Sequence, residues 1–144
     1  MNQNGYSLLE LIMVMTATAV SVALAVPDVA AMVARYREQA VVTEMAGELR
    51  TARLMAMTQA SRVRAVISGD GGSMSLEREG EPLVPIRRFD LRDRGVSIDE
   101  ATQGVVVWFH PSGRTASAIT LTIRGSSGRV WRLTVSMTGR ITVQ

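Results

Sequence analysis

The chain begins its longest apolar run with Gly5-Tyr6-Ser7-Leu8-Leu9-Glu10-Leu11 and continues it with IMVMTATAVSVALAVP, which ends at Pro27. Residues 11–26 carry no charge. As a helix with a rise of about 1.5 Å per residue, residues 6–26 extend about 31 Å, close to the ~30 Å hydrocarbon thickness of a bilayer. The length and the composition of this run therefore predict a membrane-spanning helix.

Two other interpretations of residues 1–30 are weaker. The core helix of a soluble protein would show one apolar stripe, whereas residues 11–26 are apolar all round. A secretory signal peptide has a small-residue cleavage site, which Ala23-Leu24-Ala25 resembles, but it also has a basic N-terminal region. No Lys or Arg precedes the run, and Glu10 lies at its entrance. We therefore favour a membrane helix with one acidic side chain.

Glu10 needs a cation at the depth of the membrane. A carboxylate inside a bilayer costs about 2.5–3.5 kcal/mol on insertion scales and usually indicates a function and a partner. No basic side chain is near in the sequence. Cleavage after Gly5 would give Tyr6 a free amine, which is largely protonated at neutral pH. Pairing of Glu10 with the amine of a neighbouring chain would align helices, because an unpaired charge penalises a wrong register.

Beyond Pro27 the apolar residues recur every three or four positions, with charged residues largely between them, which predicts an amphipathic helix. The stripe contains Val29, Met32, Val33, Tyr36, Ala40, Met45, Leu49, Ala52, Ala56, Ala60 and Val63. No Gly or Pro cluster separates it from the first run. We therefore predict one helix from about residue 6 to about residue 62, with Pro27 as the position of any bend.

From residue 63 the apolar residues alternate with polar ones and turn sequences separate the runs, which predicts short antiparallel strands joined by hairpins. The predicted strand residues are Val63, Ala65, Ile67, Met74, Leu76, Val105–Phe109, Ile119, Leu121, Ile123, Val130, Leu133, Val135, Ile141 and Val143. Pro82 and Pro85 favour an edge strand or a loop over residues 83–94. The predicted fold class is α+β, with one long N-terminal helix whose second half packs on a C-terminal antiparallel sheet domain.

The composition removes most catalytic chemistry. The chain has no cysteine, one histidine (His110) and no lysine among its sixteen basic residues, which excludes thiol nucleophiles, Schiff bases, P-loop lysines and two-histidine mechanisms. His110 precedes a Pro turn without a spaced Asp or Ser and is best interpreted as structural. Glu77, Glu79 and Glu81 share a strand face and are calcium candidates, but a charge-guarded edge strand is the preferred interpretation. We predict no metal, no cofactor and no enzymatic activity.

The C-terminal section is basic. Residues 101–144 contain five arginines and no acid: Arg114, Arg124, Arg129, Arg132 and Arg140. Such a section could attract the phosphates of DNA, and these five residues are the DNA-binding candidates. The alternative is a set of solvated strand faces and turns that charge keeps soluble, and we favour this second interpretation.

Gly5-Tyr6-Ser7-Leu8-Leu9-Glu10-Leu11 resembles the class III prepilin signal of type IV pilins and type II secretion pseudopilins. Pro27 lies where such helices often carry a proline. The resemblance implies that a prepilin peptidase cleaves after Gly5 and methylates the amine of Tyr6. It also implies a single-pass inner-membrane helix, a periplasmic C-terminal domain and incorporation into a filament with other pilin or pseudopilin subunits, for which Glu10 and Pro27 are the assembly residues.

Three further pieces are similar to the GspH/FimT family of minor pseudopilins and minor pilins: Leu49-Arg50-Thr51-Ala52-Arg53-Leu54-Met55-Ala56 with Ser61-Arg62-Val63, Val107-Trp108-Phe109-His110-Pro111-Ser112-Gly113, and Thr138-Gly139-Arg140-Ile141-Thr142-Val143. The resemblance implies a leader at 1–5, a transmembrane and assembly helix at 6–27, the amphipathic half of the helix at 28–62, and a periplasmic β domain at 63–144.

Three functions remain open at this point. The favoured one is the H-type minor pseudopilin of a type II secretion system. The second is a FimT-like minor type IV pilin that binds DNA in uptake, although Thr142 stands where the DNA-binding members carry the second arginine of a Gly-Arg-x-Arg pattern. The third is a secreted soluble β-domain protein that signal peptidase releases after Ala25.

Overall fold

The computed structural model describes residues 7–80 and 84–144. Helix α1 spans Leu8–Thr58 and contains Pro27. The chain divides into two compact units, Met1–Ala34 and Arg35–Gln144.

The described part of the first unit is helical from Leu8 to Ala34, and its side chains are exposed as far as Val33. The hydroxyl of Ser7 accepts a hydrogen bond from the Leu9 N–H at 3.3 Å, as residues that cap a helix N-terminus do. Within the helix, the hydroxyls of Thr18 and Ser21 donate to the carbonyls of Val14 and Ala17 at 2.7 and 2.9 Å. These hydroxyls are therefore satisfied by the helix itself and do not require water.

The second unit contains the last part of α1, a short 3-10 helix at Arg92–Arg94, and eight described strands. The strands are β1 Val63–Ile67, β2 Ser73–Arg78, β3 Val84–Asp90, β4 Val96–Ala101, β5 Val106–Phe109, β6 Ile119–Gly125, β7 Val130–Val135 and β8 Ile141–Val143. They form two four-stranded sheets with the orders β3-β2-β1-β5 and β4-β6-β7-β8. Every pairing between these strands is antiparallel.

The core of the second unit joins one face of α1 to alternate residues of both sheets. The strands bury every second side chain, such as Val63, Ala65 and Ile67 of β1. The helix contributes Val42, Met45, Leu49, Ala52 and Ala56 to the same cluster. Period-two burial on the strands and period-3.6 burial on the helix confirm the α+β fold that the sequence predicts.

The helix ends earlier than predicted, at Thr58 rather than near residue 62. Ala60 has a φ of 49°, a left-handed conformation that stops the helix. The chain then has room to reverse into β1 at Val63.

Of the predicted apolar stripe, Met45, Leu49, Ala52, Ala56 and Val63 are buried, whereas the positions up to Ala40, and Ala60 after the helix end, are exposed. Tyr36 and Ala40 are exposed, whereas Glu38 is 2% exposed and Glu48 is 8% exposed. Apolar periodicity could not predict this face, because the buried positions include two carboxylates that bind polar partners on the sheets.

Glu38 binds the turn that connects β6 to β7. One of its carboxylate oxygens accepts the Ser126 hydroxyl at 2.8 Å and the Ser127 N–H at 2.7 Å, and the other accepts the Ser127 hydroxyl at 2.5 Å. Burial alone would raise the pKa of Glu38. The hydrogen bonds from Ser127 and Ser126 and the positive charge of Arg129 outweigh the burial and hold the pKa below its ordinary value.

Further charged residues of α1 also bind the β strands and turns. Glu48 pairs with Arg87 of β3 at 2.8 Å, and Glu44 pairs with Arg94 at 2.6 Å. Arg53 donates from its Nε to the Gly113 carbonyl at 2.8 Å and from an Nη to the Thr138 carbonyl at 3.3 Å. The polar side of the helix is therefore largely occupied by contacts within the second unit.

Residues 84–90 form the edge strand β3, which pairs with β2 alone among the described strands. This agrees with the edge position that the prolines predicted. Pro82 and Glu81 lie outside the described residues.

We predict opposite effects for two Gly→Ala substitutions. A Cβ on Gly125 would stand 2.6 Å from the Glu38 carboxyl carbon and 2.9 Å from the Trp131 ring, so Gly125→Ala should lower the free energy of unfolding by about 1–3 kcal/mol. A Cβ on Gly47 of α1 meets nothing within 4 Å, so Gly47→Ala should raise it by about 1 kcal/mol. Urea unfolding of the full chain in detergent micelles, followed by tryptophan fluorescence, measures both, and a neutral Gly125→Ala would contradict the close packing described.

We also predict that Glu38→Gln destabilises the protein by about 2 kcal/mol at neutral pH, because it removes the charge from three hydrogen bonds. The folded-state pKa lies below the ordinary value of 4.5, so the carboxylate stabilises the fold fully above that pH and loses its effect as the pH falls through the lower folded value. The difference between variant and wild type should therefore shrink as the pH falls below 4.5. Glu44→Gln, in an exposed pair, is the control and should cost less than about 1 kcal/mol. A pH-independent effect of Glu38→Gln would be inconsistent with an ionised Glu38.

Candidate functional site

The N-terminal helical segment presents an exposed apolar surface. Its exposed large apolar side chains are Leu8, Leu9, Leu11, Ile12, Met13, Val14, Met15, Val20, Val22, Leu24, Val26, Val29, Met32 and Val33. The helix contains a window that is long and apolar enough to cross a membrane, and none of that window is buried. Such a surface is unfavourable in water, so its chemistry suits lipid or the same segment of other chains.

Glu10 lies in the first turn of α1. Within residues 7–80 and 84–144, no side chain forms a hydrogen bond or an ion pair with its carboxylate. Pro27 lies inside the helix. Gly5 and Tyr6, the predicted cleavage and methylation residues, lie outside the described residues.

The five arginines of the basic C-terminal section do not converge on one place. Arg124 and Arg132 lie on neighbouring strands of one sheet, but Arg124 pairs with Asp99 at 2.5 Å. Arg114 and Arg140 lie in two adjacent turns, which the Thr115 N–H to Met137 carbonyl bond connects. Arg129 lies beyond the turn after β6, over the ring of Trp131. The structure therefore offers three small groups of positive charge.

One pair of arginines was missed by the sequence analysis. Arg35 and Arg129 line an open pocket of about 390 Å³ together with Ser127 and Gly128. The available signal was Arg35-Tyr36-Arg37 directly after the apolar run, because basic and aromatic residues flank membrane helices. The charge pattern of residues 35–37 predicts only the polar face of an amphipathic helix, and nothing in the sequence brings Arg35 together with Arg129.

An open cleft of about 740 Å³ is lined by β4, the end of β6 and the turn near Asp70. Its charges are paired, Arg92 with Asp70 at 3.3 Å and Arg124 with Asp99. Hydrogen bonds from the Ser68 hydroxyl and the Gly72 N–H lower the pKa of Asp70. The cleft has the composition of a solvated groove and no convergent catalytic groups among the described residues.

The calcium alternative is not supported. Glu77 pairs with Arg64 at 2.7 Å and Glu79 with Arg62 at 3.5 Å, so their carboxylates face arginines. Glu81 lies outside the described residues, and within the described ranges no three His, Cys, Asp or Glu side chains form a metal-binding group. His110 lies in the turn after β5. Its backbone N–H donates to the Arg114 carbonyl and its backbone carbonyl accepts the Gly113 N–H, both at 2.8 Å.

Solved structures of two proteins share this fold. The type IV minor pilin FimU of Pseudomonas aeruginosa strain PAO1 superposes with a TM-score of 0.63 and 19% identity, over 76% of this chain and 90% of that chain. The minor pseudopilin EpsH from the type 2 secretion system of Vibrio cholerae gives a TM-score of 0.60 and 14% identity, over 77% of this chain and 95% of that chain. At these identities the likeness shows a pilin-like fold.

A comparison of sequences identifies the family. No curated protein matches the chain. The family model described as Type II transport protein GspH matches residues 41–139, which is more than half of the 144 residues. The match covers β1–β7 and the helix residues that pack on them, so it rests on the second unit and does not use the N-terminal run. The chain belongs to the GspH family of type II transport proteins.

Proposed function

We propose that the protein is an H-type minor pseudopilin, a structural and non-enzymatic subunit of the pseudopilus of a type II protein secretion system. The observation that carries the proposal is the joining of a GspH-family β unit to an exposed apolar helix with one acid in its first turn. A helix of this kind requires lipid before assembly and other helices after it.

Glu10 and the new N-terminus would direct assembly. Prepilin peptidase would cleave after Gly5 and methylate the Tyr6 amine, which stays cationic after methylation. Glu10 has no partner among the described residues, and its pairing with such an amine offsets the cost of a carboxylate in an apolar bundle. Pro27 removes one backbone hydrogen bond from the helix and so allows a bend at this position. We propose it as the second assembly residue, because a bend changes how the helix packs on other helices.

The proposed arrangement places residues 6–27 across the inner membrane, with residues 1–5 as the leader. Residues 28–62 form the amphipathic half of the helix, and residues 63–144 form a β domain in the periplasm. A C-terminal region of this length is translocated largely regardless of its charge, so Arg35 and Arg37 do not oppose this orientation.

A FimT-like minor pilin that binds DNA is the alternative with the same architecture, and the likeness to a type IV minor pilin leaves it open. Three observations favour the pseudopilin. The matching family is described as a type II transport protein, and Thr142 replaces the second arginine after Arg140. The dispersal of Arg114, Arg124, Arg129, Arg132 and Arg140 also gives DNA no continuous track. A soluble β-domain released after Ala25 is the third alternative, and it would begin at Val26.

We predict that the mature chain begins at Tyr6 with a methylated amine. Intact-mass measurement and N-terminal sequencing of the protein from the membrane fraction measure this. Gly5→Leu replaces the small residue before the proposed cleavage site and should leave the chain at full length. Ala25→Leu should leave cleavage after Gly5 unchanged. A mature chain that starts at Val26 would instead establish secretion.

We further predict that Glu10→Val leaves cleavage and membrane insertion intact but reduces incorporation into filaments at least tenfold, because the variant lacks the partner for the terminal amine. Filaments sheared from cells and probed for the subunit give the readout. Thr18→Val is the control, since it changes a side chain of the same exposed segment without changing charge. Equal incorporation of Glu10→Val and wild type would remove this role of the acid.

A further inference from the structure

The pocket between Arg35 and Arg129 has the chemistry of an anion site. Both guanidinium groups are exposed, and within the described ranges neither forms a hydrogen bond or an ion pair with a carboxylate. Glu38 is close enough to Arg129 for the positive charge to lower its pKa, but its oxygens already accept three hydrogen bonds from Ser126 and Ser127. Donor capacity on the arginines is therefore left for a ligand.

The pocket is rigid on the side of the sheet. The guanidinium carbon of Arg129 lies 5.6 Å from the centroid of the Trp131 ring, and Trp131 is buried. Ser127, which also lines the pocket, donates hydrogen bonds from its hydroxyl and its backbone N–H to the Glu38 carboxylate, and these fix its position. The side chain of Arg129 is held over the indole ring, and the turn that contains Ser127 is already fixed. Both therefore lose little conformational entropy when an anion binds.

Arg35 is the first basic side chain after the apolar segment, since residues 8–33 contain none. It lies about 12 Å along the helix from Pro27, where the proposed membrane span ends, a gap that the headgroup layer of about 5–7 Å and a long snorkelling side chain close between them. Tyr36 is 61% exposed on the same turn, and tyrosine is enriched at membrane interfaces. A neighbouring pocket beside Arg37 differs, since its second arginine, Arg94, is paired with Glu44.

We propose that Arg35 and Arg129 together bind the phosphate of an anionic phospholipid from the bilayer that holds the helix. The inference rests on the membrane-anchored state in the proposed function. Two guanidinium groups match the several oxygens of a phosphate better than point charges do. Lipid is favoured over DNA because two isolated arginines give no track for successive phosphates, whereas a bilayer supplies single anionic headgroups close to the end of the segment that Arg35 follows.

The test is native mass spectrometry of the full chain in detergent micelles, titrated with phosphatidylglycerol or phosphatidylcholine. Wild type should retain phosphatidylglycerol preferentially. Arg35→Gln with Arg129→Gln should weaken that binding by about fivefold for each arginine removed, and leave phosphatidylcholine binding unchanged. Arg132→Gln with Arg140→Gln removes the same charge elsewhere on the second unit and should behave like wild type.

Several results would overturn the inference: no lipid preference in wild type, equal binding by the Arg35/Arg129 variant, or equal loss in the control variant. Displacement by inorganic phosphate at the concentration of the lipid would make free phosphate the ligand. Duplex DNA that binds wild type and is lost from the Arg35/Arg129 variant would make DNA the ligand. Arg35→Lys with Arg129→Lys keeps the charge and should keep part of the preference, which separates phosphate binding from misfolding.

Carbonate extraction of cells separates this inference from the proposed function. A chain that leaves the membrane fraction contradicts the proposed anchoring itself. A chain that stays in the membrane but shows no preference for phosphatidylglycerol contradicts the Arg35–Arg129 site alone.

Discussion

The carboxylate of Glu38 fixes the helix of the second unit to the turn between β6 and β7. It is held on the helix, it accepts all three of its hydrogen bonds from the turn between β6 and β7, and those strands are the two central strands of their sheet. Gly125 contributes by having no side chain, since a Cβ there would occupy the place of the carboxylate. The position of the helix, the shape of the turn and the residue at 125 are thus one constraint. A buried carboxylate is stable here only because the helix position, the three hydrogen bonds from the turn and the absence of a side chain at residue 125 occur together.

Periodicity predicted the elements of this structure and failed where polar contacts decide. The alternation of Ile119, Leu121 and Ile123 identified β6, and the prolines predicted an edge strand or a loop where the structure has the edge strand β3. The same logic put Tyr36 in the apolar stripe and Glu38 outside it, whereas the structure exposes Tyr36 and buries Glu38. Hydrophobic pattern cannot anticipate a carboxylate whose partners are the backbone and hydroxyls of residues 88 and 89 positions away. The Arg35–Arg129 pocket was missed for the same reason, because its two arginines meet only in the folded chain.

The assignment to a family and the proposal of a filament role depend on different parts of the chain. The GspH match covers residues 41–139 and therefore does not use Gly5, Glu10 or the apolar run. The prepilin-like motif lies wholly before it. Two signals without a shared residue point to the same kind of protein, and neither is derived from the other. The β unit alone or the apolar helix alone would support the proposed filament role less strongly than the two do in one chain.

Several arginines of the second unit make contacts that a lysine could not make with the same geometry. Arg53 donates from two different nitrogens to the carbonyls of Gly113 and Thr138 and so joins two turns to the helix, which a lysine with one charged nitrogen could not do with the same geometry. Arg64 pairs with Glu77 while it lies over Trp108. Most arginines of the second unit are used in this way inside the fold. Within the described ranges, six arginine side chains form no hydrogen bond or ion pair: Arg35, Arg37, Arg114, Arg129, Arg132 and Arg140. Among these, Arg35 follows directly on the segment that needs lipid and lines one pocket together with Arg129. Their open donors are therefore better explained by a ligand outside the chain than by the stability of the fold.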